Sequence, residues 1–331
     1  MEALIAFNWY RCDTKPNLEI TDHTAMSVKA SGNQRYTASA VWCLCMTYYR
    51  LGNFSASYNH MQEAYQLFNN LPPGEVESQR LGCLCGVDLV ENARFILQAH
   101  KVVSLARDVE KKCAALSDDT IHAYSLLKLG IALNNVQQQQ EALYYMDRAR
   151  TVFQAVGHTL NLARAYHSIS LVHLDECKFP DALDAAEKAW EYAELTASRY
   201  SQTTISLTLG RILFNTNQDT RAWKYIELSL TNASFIGNRY QAALALECMG
   251  YGYLRRGDYQ NAYGAYEAAV EKFLGTTGNV ERCKDNMARI QRKQENYDAV
   301  ISFYRPSLDT EIILFYPPVQ VFASEPPISH S

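Results

Sequence analysis

The sequence predicts an all-α chain of stacked helix-turn-helix units, and three observations predict it. Small residues recur at Gly130, Ser170, Gly210 and Gly250, a spacing of 40 kept through four consecutive units. At set intervals after each of them come a turn and further small residues for a second helix. The chain is 48% hydrophobic and 20% charged, enough apolar material for a continuous core. Such a period across 331 residues points to one elongated array, in which each unit buries its apolar face against its neighbours.

Residues 1–35 precede the first complete unit. Gly32-Asn33 marks a boundary, since a glycine closes a helix in the left-handed conformation, and the same boundary recurs at Gly157-His158, Gly237-Asn238 and Gly278-Asn279. Residues 1–31 are therefore expected to hold the remnant of a further helix pair. Either it is a capping half-repeat or the chain starts inside a longer protein, and the second reading is preferred.

The array proper is read over 36–305 as about seven units. The first runs Cys45, Tyr48, Gly52, Phe54, Ser57, Met61 and Ala64 in the order small, large, turn, aromatic, small, large, small. A poorer unit centres on Gly86, with Phe95 and Leu105 in register but Gln98 where a small residue belongs. Gly86 stands 41 residues after Cys45 and 44 before Gly130, so insertions are expected around it, and 71–74 reads as the turn that precedes it. Next come Gly130, Leu133, Gln137, Ala142, Met146 and Ala149, then Ser170, Phe179, Ala182, Ala186 and Ala189. Pro180 falls where a second helix begins, a place where its missing N–H costs nothing. Gly210, Leu213, Asn217, Ala222, Ile226 and Ser229 form the following unit.

The clearest unit is Gly250, Tyr253, Gly257-Asp258, Tyr259, Ala262, Tyr266 and Ala269. Gly250 and Ala262 leave room for two helices to cross closely, Gly257-Asp258 turns the chain, and the tyrosines fill the space around it. A last unit, with Ile290, Tyr297, Val300 and Tyr304, carries a bulky residue at the crossing and reads as a degenerate cap. Residues 306–331 leave the pattern, and Pro317, Pro318, Pro326 and Pro327 exclude helix. The apolar run 312–316 is read either as an extended strand on the last helices or in the protein's own groove, or as part of a disordered tail.

The spacing of these small, large and turn positions resembles the tetratricopeptide motif over 36–305. A period of 40 in place of the commoner 34 lengthens each helix by about three residues, or roughly 4.5 Å. That longer unit with its Gly-Asn boundaries is similar to the LGN/Pins scaffolds, the kinesin light chain and the repeat arrays of STAND-class signalling ATPases. The resemblance implies a right-handed α-solenoid whose first helices line a concave groove that receives a partner segment. It places positions 2, 5, 9 and 12 of each first helix towards the hollow. Trp42, Met46, Tyr49 and Tyr124 occupy such positions early in the array, and Asn134, Arg164, His167, Arg211, Phe214, Glu247, Tyr251 and Lys284 occupy them further on. Aromatic groups mixed with isolated charges suit an amphipathic or extended peptide. No Lys-x-x-x-Asn pair of the carboxylate-clamp kind stands at the early groove positions, so a chaperone C-terminus is not the expected ligand.

Composition narrows the function further. A net charge of −4, a pI near 6.1 and no basic run longer than Lys111-Lys112 or Arg255-Arg256 argue against nucleic acid. Without a run of about 18 apolar residues or a basic leader, a cytoplasmic protein off the membrane is expected. Nine scattered cysteines fit reduced thiols. In Cys43/Cys45 and Cys83/Cys85 the two side chains point roughly 200° apart on a helix and cannot share one ion, so neither metal nor cofactor is expected. The sequons at Asn53 and Asn232 carry weight only in a secretory protein and are discounted.

No nucleotide loop, metalloprotease helix or nucleophile elbow occurs. His122, His167 and His173 stand near Asp118, Asp119, Asp175 and Glu176, but such proximity arises readily by chance, and Asp118-Asp119 reads as a helix N-cap. The chain is thus read as a non-enzymatic scaffold that holds a partner peptide or helix in its groove. The alternative is a ligand-sensing repeat domain of a larger STAND-type ATPase.

Overall fold

A computed structural model describes residues 18–72, 75–273 and 277–293. Among these the regular elements are all helices: α1 (Leu18–Ala30), α2 (Gln34–Arg50), α3 (Phe54–Asn69), α4 (Val76–Ala93), α5 (Ala99–Ala114), α6 (Asp119–Asn134), α7 (Gln139–Ala155), α8 (Thr159–Asp175), α9 (Phe179–Glu194), α10 (Arg199–Asn215), α11 (Asp219–Phe235), α12 (Arg239–Arg255), α13 (Tyr259–Lys272) and α14 (Thr277–Lys293). Consecutive helices pack antiparallel in pairs, and the pairs stack.

Small residues at the crossings explain the pairing. A Cβ added at Gly130 would lie 2.7 Å from Met146 Cγ and 2.9 Å from the Ala142 carbonyl oxygen, so α6 and α7 meet backbone to backbone only because glycine is there. Ser170 holds the equivalent position in its unit, and Ala262 lies on the opposite side of the crossing in another; both are wholly buried. Around each crossing the core is a strip of alanines with one large side chain per unit, Met146, Ile226 and Tyr266 among them. The strips merge from unit to unit, as a solenoid requires.

The turns inside units repeat as faithfully as the crossings. Gln137, Cys177, Asn217 and Gly257 follow one another at intervals of 40 and all have φ between 57° and 74°. At each, the next residue's N–H returns to a carbonyl in the last turn of the helix, as in Gln138 to Leu133 at 3.1 Å and Asp258 to Tyr253 at 3.0 Å. Between units, Gly32, Gly157 and Gly237 take the same left-handed conformation, and Asn33, His158 and Asn238 then cap the following helix with their side chains. Asp118 caps α6 by accepting the Ile121 N–H at 3.0 Å.

Two local expectations are corrected. Gly278-Asn279 is not a boundary, for α14 begins at Thr277 and carries the pair in its first turn. In the second unit Gln98 is the N-cap of α5, and the residues buried on that helix are Val102, Ala106, Val109 and Cys113, each 40 before its counterpart on α7 (Ala142, Met146, Ala149, Phe153). The period of 40 therefore persists back to α5, and the residue at the Gly130 place is Val90, with Gly86 one turn earlier against Tyr65 and Val109. Leu105 is only partly buried, and Val109 holds the place assigned to it. Tyr297, Val300, Tyr304 and the segment 306–331 lie outside the described residues.

Successive first helices, α2 to α4, α4 to α6 and so on to α12, also pack on one another, while no comparable packing joins successive second helices among the described residues. The first helices therefore form the inner rank. That rank curls far enough for distant units to touch: Tyr240 on α12 sets its ring edge-on to Phe54 of α3 at 5.1 Å and to Phe95 after α4 at 5.6 Å.

Candidate functional site

Polar bonds at intervals near the repeat length tie the inner rank together. Trp42 Nε1 donates to Asp88 Oδ2 at 3.1 Å, Tyr49 to Glu91 at 3.3 Å, Lys128 to Glu91 at 2.9 Å, and Arg164 to the Tyr124 hydroxyl at 3.0 Å. Asn134 donates to Asp175 at 2.7 Å, His167 meets Thr208 at 2.8 Å, and Arg282 clasps both oxygens of Glu247. Each bond links one first helix to the next, so side chains of the concave face also hold the units in register.

The densest part is a cluster around Glu91. Its carboxylate takes Lys128 on one oxygen and Arg94, at 2.8 Å, on the other. Burial disfavours the Glu91 charge, but the two cations outweigh it and hold the carboxyl well below the usual range. The Tyr200 hydroxyl on α10 comes close to that of Tyr49 on α2, which brings these two helices near one another across the hollow beside this cluster. Burial, followed by the charge of Glu91, pushes Tyr200 up. Asp88 lies beneath, only 4% exposed, and burial lifts it to about 7 against the opposing pull of Lys128 and the Trp42 indole. His167 is held down at about 4, first by burial and then by Arg211 and Arg94, so it is neutral at physiological pH.

The eight residues expected in the groove divide by what they touch. Asn134, Arg164 and His167 make the bonds between units given above and are at least half-buried. Glu247 is bound by Arg282, and Tyr251 packs its ring edge-on to Phe214 at 6.0 Å. Arg211 and Lys284 are exposed. Phe214 is a correction, since it is fully buried and has no surface to offer. Its ring fills the space left by Gly252, where a Cβ would come within 2.5 Å of Phe214 Cζ, and it lies against Trp223.

Glu91, Arg94, Lys128, Tyr200 and Tyr240 were not anticipated. Counted from Val90, 40 before Gly130, Glu91 and Arg94 fall at positions 9 and 12, and only the choice of Gly86 as origin hid them. Tyr200 and Tyr240 precede position 1, yet a visible signal marks them: Arg-Tyr opens three first helices, at 35–36, 199–200 and 239–240.

The three histidines near carboxylates do not converge. His122 pairs with Glu110 at 2.8 Å, His173 lies 3.7 Å from Glu176, and His167 bonds Thr208. Among the described residues no group of three or more His, Cys, Asp or Glu side chains comes together to hold a metal ion, and no helix is long and apolar enough to cross a membrane. Cys43 is half-buried and Cys45 fully buried, on diverging directions of α2.

No family model matches the chain, and no curated protein matches it. Solved structures do. A Rap protein complexed with competence and sporulation factor aligns with a TM-score of 0.61 at 13% identity, covering 83% of this chain and 76% of that one. The Rap conjugation gene regulator of the plasmid pLS20, in complex with the Phr* peptide, aligns at 0.56 and 18% identity, covering 81% and 78%. Aspartyl phosphate phosphatase F from Bacillus subtilis aligns at 0.57 and 12% identity, covering 84% and 72%. At these identities the likeness is one of fold, a helical repeat solenoid.

Proposed function

We propose that the chain is a non-catalytic scaffold that binds a partner peptide against its concave first helices. The observation that carries this is the composition of the inner rank, where the partly exposed rings of Tyr200 and Tyr251 alternate with the charges of Glu91, Arg94, Lys128, Arg164 and Arg211, backed by the buried rings of Tyr49 and Tyr124. Rings offer rigid area and hydroxyls, and isolated charges offer anchors, the combination that receives an extended segment. Two structural neighbours are described as complexes with a factor or a peptide, which supports the same reading. One neighbour is described as a phosphatase, but here the histidines and carboxylates are engaged separately, and a scaffold explains their bonds between units.

A photo-crosslinking residue at Tyr251, on the inner rank, should capture the bound peptide, whereas the same residue at the exposed Tyr144 of α7 should not. Equal capture at both would refute the concave site. A second reading, a ligand-sensing array of a STAND-type ATPase, draws support from the 40-residue period and from the contact of distant units at Tyr240, which ligand in the hollow would strengthen or break. A nucleotide-binding domain encoded in the same reading frame would be its test.

A further inference from the structure

The inner rank carries more positive than negative charge although the whole chain is −4. Arg94 and Lys128 share the single carboxylate of Glu91. Arg164, bonded to the Tyr124 hydroxyl, opposes the charge of Lys128, whose ammonium also lies 5.6 Å from the Tyr124 ring. One unit further, Arg211 is exposed, and no side-chain hydrogen bond engages its guanidinium among the described residues; Arg94 and Arg211 both bear on His167, which links the two ends of the field. Against these four cations stand Glu91 and Asp175, the latter tied to Asn134 within the field of Arg211. The remaining acids are Asp88, sealed under Trp42, and Glu247, whose two oxygens are already clasped by a further cation, Arg282. Like charges gathered in a partly dehydrated hollow repel strongly, and an anion entering it relieves that cost.

Resting on the concave-face reading, we propose that the occupant of the hollow is an acidic peptide segment whose carboxylates are received by Arg94, Lys128, Arg164 and Arg211. Guanidinium groups fit carboxylates in paired hydrogen bonds, and Lys128 adds a point charge. The partly exposed Tyr200 and Tyr251 on the same rank contribute area for the intervening apolar side chains. A nucleic acid fits less well, because a phosphate at every nucleotide needs an unbroken cationic track and Glu91, Asp175 and Glu247 interrupt this one.

The test is selection from a random dodecapeptide display library on the wild-type chain, followed by titration of the selected peptides against Arg211→Glu, Arg164→Gln and Tyr251→Ala, with thermal melts to confirm that each variant folds. Enrichment of acidic peptides supports the proposal if their affinity falls about tenfold or more in Arg211→Glu and on replacing their glutamates by glutamine, and if it weakens steeply with salt. Arg164→Gln, which keeps a neutral hydrogen-bonding group, should lose less than Arg211→Glu. Enrichment of neutral or basic peptides that depend on Tyr251 overturns the charge preference and leaves the concave site standing. Peptides indifferent to all three variants, or no enrichment, overturn both. Displacement of a selected peptide by a single-stranded oligonucleotide at equal or lower concentration overturns the choice of peptide as the ligand class.

Discussion

Phe54 and Tyr240 stand with ring planes 88° apart and centroids 5.1 Å apart, although one begins the second helix of an early unit and the other begins the first helix of a late one. Phe95 completes the contact by stacking on Phe54 at 3.9 Å and meeting Tyr240 edge-on. A solenoid is quasi-one-dimensional in its energetics, each unit leaning only on its neighbours, and this contact breaks that rule. Tyr240→Ala is expected to cost about 2 kcal/mol, the lost burial of a half-buried ring plus its edge-to-face pairs. A Phe54→Ala, Tyr240→Ala double-mutant cycle should then give a coupling of about 0.5–1.5 kcal/mol by urea denaturation. Small-angle scattering should show a larger radius of gyration in either variant. Strict additivity with an unchanged radius would mean that the hollow is open in solution.

Close crossing sets a second prediction. At Gly210 a new methyl meets chiefly the Ile226 side chain, with the Ala222 carbonyl at 3.3 Å, whereas at Gly130 it meets the Ala142 carbonyl oxygen at 2.9 Å. A side chain can turn aside; a helix backbone has to move. Gly130→Ala is therefore expected to destabilise by about 2–3 kcal/mol and Gly210→Ala by about 1–2, the range for overpacking offset by alanine's better helix propensity. Thermal melts that reverse this order would show that α6 and α7 are not in backbone contact at this point.

Backbone conformation yields a third. Cys177 holds φ at 57° in the place where the next unit but one has Gly257 at 74°, and Cys177 is exposed. A β-carbon is unfavourable in this region by about 1 kcal/mol. Cys177→Gly should stabilise the chain by roughly 0.5 kcal/mol after the added freedom of the unfolded chain is subtracted, and Gly257→Ala should destabilise it by about 1 kcal/mol. Both are measurable as shifts in urea midpoint at constant slope.

How much of this was legible depends on whether a feature repeats. Gly130, Ser170, Gly210 and Gly250 are visible because close crossing imposes the same small size once per unit, and Gln137, Cys177, Asn217 and Gly257 occupy one turn geometry with four different residues, so only spacing reveals it. The Glu91 cluster was within reach, since Val90 keeps the period, but a glycine four residues earlier is the more conspicuous marker. Phe214 misled because position 12 faces the hollow only when the following helix leaves no gap, and Gly252 leaves one. The approach of Tyr49 to Tyr200 and the Phe54 to Tyr240 contact follow from superhelical curvature, the sum of small rotations between units, which no local pattern encodes.

Two buried groups of opposite sense make the pH dependence of stability the sharpest test of the inner rank. Asp88 has its folded pKa raised to about 7, so the folded state holds a proton that the unfolded chain has released above about pH 4. Its contribution is fully present below about pH 4 and is lost as pH rises through 7. His167 has its folded pKa lowered to about 4, so its contribution is present above about pH 6.5 and is lost as pH falls towards 4. Within roughly pH 4.5–6.5 the two slopes oppose each other, and wild-type stability should vary little with pH there. Asp88→Asn keeps an acceptor for the Trp42 indole and removes one slope, so its stability should climb with pH across that window and exceed that of wild type at pH 8. His167→Gln removes the other slope, and its stability should fall as pH rises towards 7. Denaturant titrations at half-unit pH steps measure both curves, and parallel curves for the two variants would place Asp88 or His167 in contact with bulk water.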